Sequence, residues 1–495
     1  MTCQAKTNII FIVIDALRAD MLSTINSQAV STPTIDCFAR EGVLFQDAYS
    51  CTNATDSSIT SMMTGLYPAR HGIIRHGAYV SDKEKLQVQR VPMLAEILCE
   101  AGYKTMSIDW LGRWHKRGFD IYTGITQRGT LSKSLYDFLS RHNLWGMASK
   151  ILSLTKGRMN KAVSTLKVIE DAQVVVDQAI NLLRSHNLSS VPFFLFIHFW
   201  DLHAPYRPID RFVPQTSQNV RQESRVAIRD VTNQLNNSIW QRRIERWTDG
   251  YTYVDEFVAA YQSEVLFVDE QIGRLLSEIR QLNLDKNTLI ILTSDHGESF
   301  CEHSICFDHH GLYECTVHVP LIIRLPDLLP AETRVKGLVQ HIDLMPTLLK
   351  LLNVPFSANW DGCTLLPVIE DGASRRSAIY LEEALTEHKI AVRTNRHKYI
   401  RAVSEQDAVC RYCGIVHGGQ EELYDLEQDP LESNNMIQAR PDLREMLHHQ
   451  LSDWQATMNS EAQNLQISDS ALDPGDLTDE GEKLIEQRLR DLGYL

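Results

Sequence analysis

No stretch of this chain approaches the roughly 20 consecutive apolar residues that span a bilayer. The short apolar run in the opening MTCQAKTNIIFIVIDAL ends in Asp15 with no small-residue cleavage site behind it, so a secretory signal peptide is not expected either. An excess of positive charge is missing as well. The formal net charge is −14, which argues against nucleic acid or an anionic membrane surface as the main partner, because both bind basic patches. A small anionic substrate stays open, since a local cluster of Arg, His and metal overrides the global field. There are ten cysteines, but they lack the dense spacing of a disulfide framework. Scattered along a long chain, they suit reduced thiols and a cytoplasmic location. Internal repeats and low-complexity tracts are absent.

What is present is an ordinary globular composition, 43% apolar and 23% charged. At 495 residues the chain exceeds one compact core, so a large domain plus a smaller one is expected. NIIFIVI (8–14), FFLFIHF (193–199) and TLIILT (288–293) are near-continuous apolar runs, the mark of strands buried on both faces of a parallel sheet. Between the last two, Val265, Val268, Ile272, Leu275, Leu276 and Ile279 recur at helical spacing, as do Ile169, Ala172, Val176, Ile180 and Leu183. Strands alternating with helices imply an α/β fold, a mostly parallel central sheet sandwiched by helices. Residues 1–370 are assigned to this domain, with the polar, irregular 205–255 as a variable cap. Short alternating strands from about residue 375 (SAIYLEE, KIAVRTNRHKYIRAV) indicate a small C-terminal α+β domain over 371–465, followed by an acidic tail and terminal helix over 466–495.

In parallel sheets ligands bind beyond the carboxyl ends of the strands. Asp15, His198 with Asp201, and Asp295 with His296 all fall at or just after strand ends, so they are expected on one rim. Asp15 reads either as a metal ligand or as the N-cap of the following ALRADML. Asp295 and His296 can hold one divalent ion from two directions, the carboxylate hard and the imidazole borderline; the alternative is a capped turn with a surface histidine. TDSSITSMMTG (55–65) reads as a helix with Ile59, Met62 and Met63 inward and Gly65 as its stop. Thr55 is then its N-cap. It serves only as a cap, or its hydroxyl is a nucleophile beside backbone N–H groups that hold an anion.

Several segments together resemble the sulfatase family of the alkaline-phosphatase superfamily: IFIVIDALRAD, T-x-x-S-x-x-S-x-x-T-G-L-Y-P-x-R-H-G (55–72), HFWDLHAPY, SEVLFVDEQIGRLL, LTSDHGE, HHGLYE with HVPLIIR, and ELYDLEQDPLE. They run in family order over nearly the whole chain. The resemblance implies an alkaline-phosphatase-like sheet, and one divalent metal held by Asp15, Thr55, Asp295 and His296, with Thr55 both ligand and nucleophile. The departures carry information. True sulfatases bear Cys or Ser in C-x-P-S-R-x-x-x-x-T-G and convert it to formylglycine, whereas counting back from Thr64-Gly65 puts Thr55 at that position and Ile59 where the Arg should be. The second Asp of the family's pair is Ala16, as in phosphonate monoester hydrolases. His296 replaces an Asn, which moves the expected metal toward Mn²⁺ or Zn²⁺, with Ca²⁺ and Mg²⁺ as alternatives.

The block from Gly102-Tyr103 through Asp109 to His115 and Gly118-Phe119-Asp120 resembles the family's AGY…GKWH…GFD. It implies Arg113 for the anion-contacting Lys and His115 for the His beside the nucleophile; the alternative is a surface Arg and an amphipathic His. His203 is implied as the anion-binding or acid His, and His310 as the group near the leaving group, with His309 its rival. Asp201, His203 and His310 are the residue types for a second ion, but their spacing departs from the two-zinc pattern. Cys410-Arg-Tyr-Cys413 with His417 looks like half of a zinc knuckle; with no second pair nearby, two reduced structural thiols are the favoured reading. The expected function is hydrolysis of a phosphate diester or phosphonate ester through a Thr55 intermediate. The alternatives are a sulfuric ester hydrolase without formylglycine, a phosphotransferase, and a binding protein on a dead enzyme fold.

Overall fold

The computed structural model describes residues 7–123, 172–186, 191–216, 225–356, 359–374 and 376–464. Strand β1 (Asn8–Ile14) is buried at every position. Its alternating side chains feed two separate cores: Ile10, Ile12 and Ile14 pack into one, Ile9, Phe11 and Val13 into the other. That is why the run is apolar without a period. The other strands of the sheet are β2 (Val43–Phe45), β3 (Lys104–Ile108), β4 (Ile121–Tyr122), β5 (Phe193–Phe199), β6 (Thr288–Ser294), β7 (Leu321–Arg324) and β8 (Thr333–Val335). Their spatial order is β8-β2-β7-β6-β1-β5-β3-β4. The central strands are parallel, Ile14 lying opposite both Phe199 and Ser294. Strand β7 runs antiparallel to β6 and β2.

Helices cover both faces. On one lie α1 (Pro33–Arg40), α3 (Ala172–His186) and α4 (Val254–Gln281), whose Ile35, Phe38, Ala172, Val176, Val265 and Ile272 join the first core. On the other lies α2 (Thr55–Thr64), whose Ile59, Met62 and Met63 join the second. The helix ends at Gly65, φ 67°, a left-handed cap that costs glycine nothing.

The C-terminal part is a four-stranded antiparallel meander, β9 (Ala378–Glu383), β10 (Lys389–Thr394), β11 (His397–Ala402) and β12 (Glu421–Asp425). Its one face is covered by α5 (Pro441–Asn464) through Leu443, Leu447, Leu451 and Trp454. Its other face joins Tyr49, Leu312, Tyr313 and Val317 of the large sheet domain, so the meander buttresses the loop that carries His309 and His310.

The 205–255 segment is more ordered than its polarity implies. Helices Ile228–Thr232 and Ser238–Trp247 lie within it, and Arg243 is sandwiched between Trp240 and Trp247 at 4.6 and 4.8 Å. The apolar positions Trp240, Ile244 and Trp247 do recur at helical spacing, but charged neighbours mask them. Ile169, most of QTSQNVRQES and the 466–495 tail and helix lie outside the described residues. No helix among the described residues is long and apolar enough to cross a membrane.

Candidate active site

Adjacent parallel strands end side by side, so residues far apart in sequence share one rim. Asp15 follows β1, and Asp295 and His296 follow β6; all three are fully buried, and their ligand atoms lie within 4.8 Å of one another. Nε2 of His296 is 3.3 Å from Asp295 Oδ2 and 3.6 Å from Asp15 Oδ1. The N–H at Nδ1 of His296 donates to the Gly297 carbonyl at 2.8 Å. A carbonyl only accepts, so this bond sets the tautomer and turns the Nε2 lone pair toward the carboxylates.

Thr55 completes the group. It is the first residue of α2 and not its cap, a position held by Ala54. Its hydroxyl is thereby free to point at the rim, where Oγ1 lies 3.2 Å from His296 Nε2. Ser58, one turn on, donates to the Asp295 carbonyl at 2.7 Å and pins the helix to the end of β6.

The donor set fits a divalent cation. Both oxygens of Asp15 and Oδ2 of Asp295 are buried without a hydrogen-bond partner. Two such carboxylates are costly to bury unless something charged sits between them. Burial, then Asp295 and Glu298, push the Asp15 carboxyl well above its ordinary range, while burial holds His296 neutral, down to about 3. Two hard oxygens, a borderline imidazole and a hydroxyl are a transition-metal or Mg²⁺/Ca²⁺ donor set. The N-cap reading of Asp15 is not what the structure displays, since its carboxylate caps nothing.

The residue after Thr55 organises a second shell that the sequence did not announce. Asp56 is fully buried and accepts from Arg113, from the Gly77 N–H at 2.8 Å and from His115 at 3.2 Å, with His76 Nδ1 3.0 Å away. Burial alone raises a carboxyl, yet Arg113 and His76 hold Asp56 well below its ordinary range. Arg113 also donates to the Gly77 carbonyl and lies over Trp114. Arg113 and His115 thus reach the vicinity of Thr55, and both are committed to Asp56. His198 lies on the rim as expected, its Nε2 facing Asp15 at 3.9 Å, and its unannounced partner is Asp109, whose Oδ1 is 3.0 Å from His198 Nδ1.

The imidazoles divide into two groups. His309 stacks on His296 at 4.1 Å, and His203 meets His309 edge-on at 5.5 Å. Nδ1 of His309 donates to the Asn53 carbonyl, holding its loop against the approach to α2. Burial keeps His309 down to about 3, and burial with His309 keeps His203 well below its usual value. His310 turns away and clusters with Cys410, Cys413 and His417. Asp201 does not join His203 and His310 as a second metal centre; its Oδ1 accepts the Ala172 N–H at 2.8 Å, at the start of α3.

Fold and site together define an α/β protein with a candidate carboxylate–imidazole metal site at the carboxyl edge of its sheet. The sulfatase family pattern matches residues 7–354, and that of the C-terminal region of N-sulphoglucosamine sulphohydrolase matches 301–457. The chain belongs to the sulfatase family. It is 24% identical to an N-acetylglucosamine-6-O-sulfatase of Bacteroides thetaiotaomicron, over 87% of this chain and 83% of that protein. It is likewise 24% identical to a choline-sulfatase of Rhizobium meliloti, over 88% and 83%. Among solved structures it is similar to one in complex with its substrate D-glucosamine-2-N,6-O-disulfate (TM-score 0.68, 20% identity, 94% of this chain, 100% of that one). It is also similar to the phosphonate monoester hydrolase of Agrobacterium radiobacter (TM-score 0.66, 20% identity, 92% and 96%). At these identities the structural likeness establishes the fold; the family match establishes the hydrolase class.

Proposed function

We propose that the chain hydrolyses a small sulfuric ester using the unmodified Thr55 hydroxyl as nucleophile. The observation that carries this reading is the placement of Thr55 Oγ1 3.2 Å from His296 Nε2, at the start of a buried helix and near the unpartnered oxygens of Asp15 and Asp295 Oδ2. The sulfatases among its relatives favour sulfur over phosphorus, which reverses the order expected from the threonine alone. A cation held by Asp15, Asp295, His296 and Thr55, with Mn²⁺ or Zn²⁺ favoured by the imidazole, would lower the hydroxyl pKa and offset charge on a nonbridging oxygen.

The chain's own groups then divide the work. Thr55 releases its hydroxyl proton to solvent, and its Oγ1 forms the bond to sulfur as the bond to the leaving oxygen breaks. N–H groups of the first turn of α2 face the anion. His203 and His309 are neutral without substrate, and an anionic ester between them reverses that balance, so one takes up a proton and hands it to the leaving alcohol. Water then attacks sulfur of the sulfo-threonine, releasing sulfate and a proton and restoring the hydroxyl. Asp56, by neutralising Arg113, fixes the helix start and tempers the field on the nucleophile.

A second reading is a phosphate diester or phosphonate ester, by the same steps at phosphorus. The observation favouring it is the residue itself: Thr55 cannot give the formylglycine hydrate, and an ordinary hydroxyl is the kind of nucleophile that phosphoryl transfer uses. Aryl sulfate, aryl phosphate diester and aryl phosphonate supplied at equal concentration, with Mn²⁺, Zn²⁺, Mg²⁺ or Ca²⁺ in turn, test the order. The largest kcat/KM is expected for the sulfate; a larger value for either phosphorus ester overturns the first reading in favour of the second.

A further inference from the structure

Apart from the rim described above, one other group of metal-ligating side chains converges among the described residues: His310, Cys410, Cys413 and His417, whose ligand atoms all lie within 4.8 Å of one another. All four are about 1% exposed. The sequence alone favoured two structural thiols because C-x-x-C and His417 supply three ligands and no partner follows them. The fourth arrives from far upstream, on the loop that also carries His309.

We propose that His310, Cys410, Cys413 and His417 form a structural zinc site that clamps the C-terminal domain to the active-site loop. Two thiolates and two imidazoles without an open position are the closed tetrahedral set of structural zinc, and ligand atoms on a tetrahedron of Zn–S about 2.3 Å and Zn–N about 2.0 Å fall within such a spread. The outer contacts are those of oriented ligands. Nδ1 of His417 donates to the His303 carbonyl at 3.0 Å, leaving Nε2 to face Cys413 Sγ at 2.9 Å. Nδ1 of His310 lies 3.3 Å from Asp308 Oδ1, a carboxylate–histidine arrangement that supports a metal-bound ring. The other ring nitrogen of His310, Nε2, is buried without a hydrogen-bond partner. The Cys413 N–H donates to Cys410 Sγ at 3.5 Å.

The site would tie three segments together. Tyr412, between the cysteines, stacks on Trp240 of the cap at 4.7 Å, and the Asn236 N–H donates to the Cys413 carbonyl at 3.0 Å. His310 adjoins His309, which stacks on His296. A ligating His310 has no proton to give a leaving group, so that role falls to His203 or His309. The proposal stands whether the ester is of sulfur or of phosphorus.

The test is on full-length, tag-free protein. Elemental analysis of the Asp15→Asn/Asp295→Asn double variant, which lacks both carboxylates of the rim site, is expected to find one zinc per chain, and Cys413→Ser is expected to lose one zinc relative to wild type. Should Cys413→Ser fail to fold, wild type metal-stripped and reloaded with Co²⁺ still decides. A near-ultraviolet sulfur-to-cobalt charge-transfer band supports the site, as does protection of two thiols from alkylation until a chelator is added. Folded double variant without zinc, a Co²⁺ adduct lacking the sulfur band, or a Cys410–Cys413 disulfide in the purified protein each overturns it.

Discussion

Nε2 of His296 lies 3.2 Å from the hydroxyl of Thr55, although 241 residues separate them in the chain. The contact joins a helix start to a strand end, and through it the proposed nucleophile shares the environment of Asp15 and Asp295. Replacing Thr55 by Ala is expected to lower kcat by about 10⁴-fold or more, the scale on which loss of a covalent nucleophile acts. Thr55→Ser keeps the hydroxyl and is expected to stay within about 10-fold of wild type. Circular dichroism should be unchanged for both. Full activity in Thr55→Ala would sink the mechanism.

Both oxygens of Asp15 and Oδ2 of Asp295 are buried close together without hydrogen-bonding partners, which makes metal and stability inseparable. In EDTA, Asp15→Asn should melt at a higher temperature than wild type, because it removes the charge that burial and Asp295 disfavour. In saturating Mn²⁺ or Zn²⁺ the order should invert, since an ion present at 100 times its Kd stabilises wild type by about 2.7 kcal/mol. The sign of the pH dependence follows as well. The folded Asp15 carboxyl titrates above its ordinary value of 3.8, so the metal-free protein gains stability as pH falls toward that value and loses it as pH rises through the folded pKa. Thermal scans at several pH values, with and without metal, check both. Identical melting of the two proteins in EDTA would count against the close pair.

Asp56 is the common partner of Arg113, His115 and His76. Asp56→Ala leaves a buried guanidinium unpaired and is expected to cost about 3–5 kcal/mol in denaturant unfolding. Because the folded Asp56 titrates below 3.8, its contribution is present above that pH and is lost as pH falls through the folded pKa. Wild type should therefore lose stability below about pH 4 more steeply than Asp56→Asn. Parallel acid-unfolding slopes would contradict the assignment.

Gly297 follows the metal-site imidazole, and a Cβ there would stand 2.1 Å from the Cys315 carbonyl oxygen. Backbone on both sides leaves no flexible group to yield. Gly297→Ala is expected to cost about 1–3 kcal/mol and to displace His296, which isothermal titration with Mn²⁺ would register as weaker binding. Unchanged affinity and stability would contradict so close an approach.

Much of this was legible from the chain alone. The runs at 8–14, 193–199 and 288–293 are nearly all apolar because their strands are buried on two faces, and the first and third end next to the polar residues that meet the rim. Asp15, Asp295 and His296 could be found for that reason. Arg113 and His115 could be found only as neighbours of the nucleophile; that Asp56 claims them depends on a turn bringing Gly77 and His76 beneath α2. Asp109 as the partner of His198, and the ordered helices of the cap, were missed because a contact between two strand ends or a tryptophan among arginines has no periodic signature.

Burial pattern and ligand chemistry are local, so the order of residues by itself determined an α/β sheet, a rim of acids and imidazoles, and a hydroxyl at a helix start. Distances between segments are not local. Only the tertiary structure decided that Thr55 is free of capping duty, that Arg113 is held by a carboxylate, and that His310 leaves the rim for the two cysteines. The reason in each case is that a side chain's partner is set by which strand ends and loops the folded cores bring together.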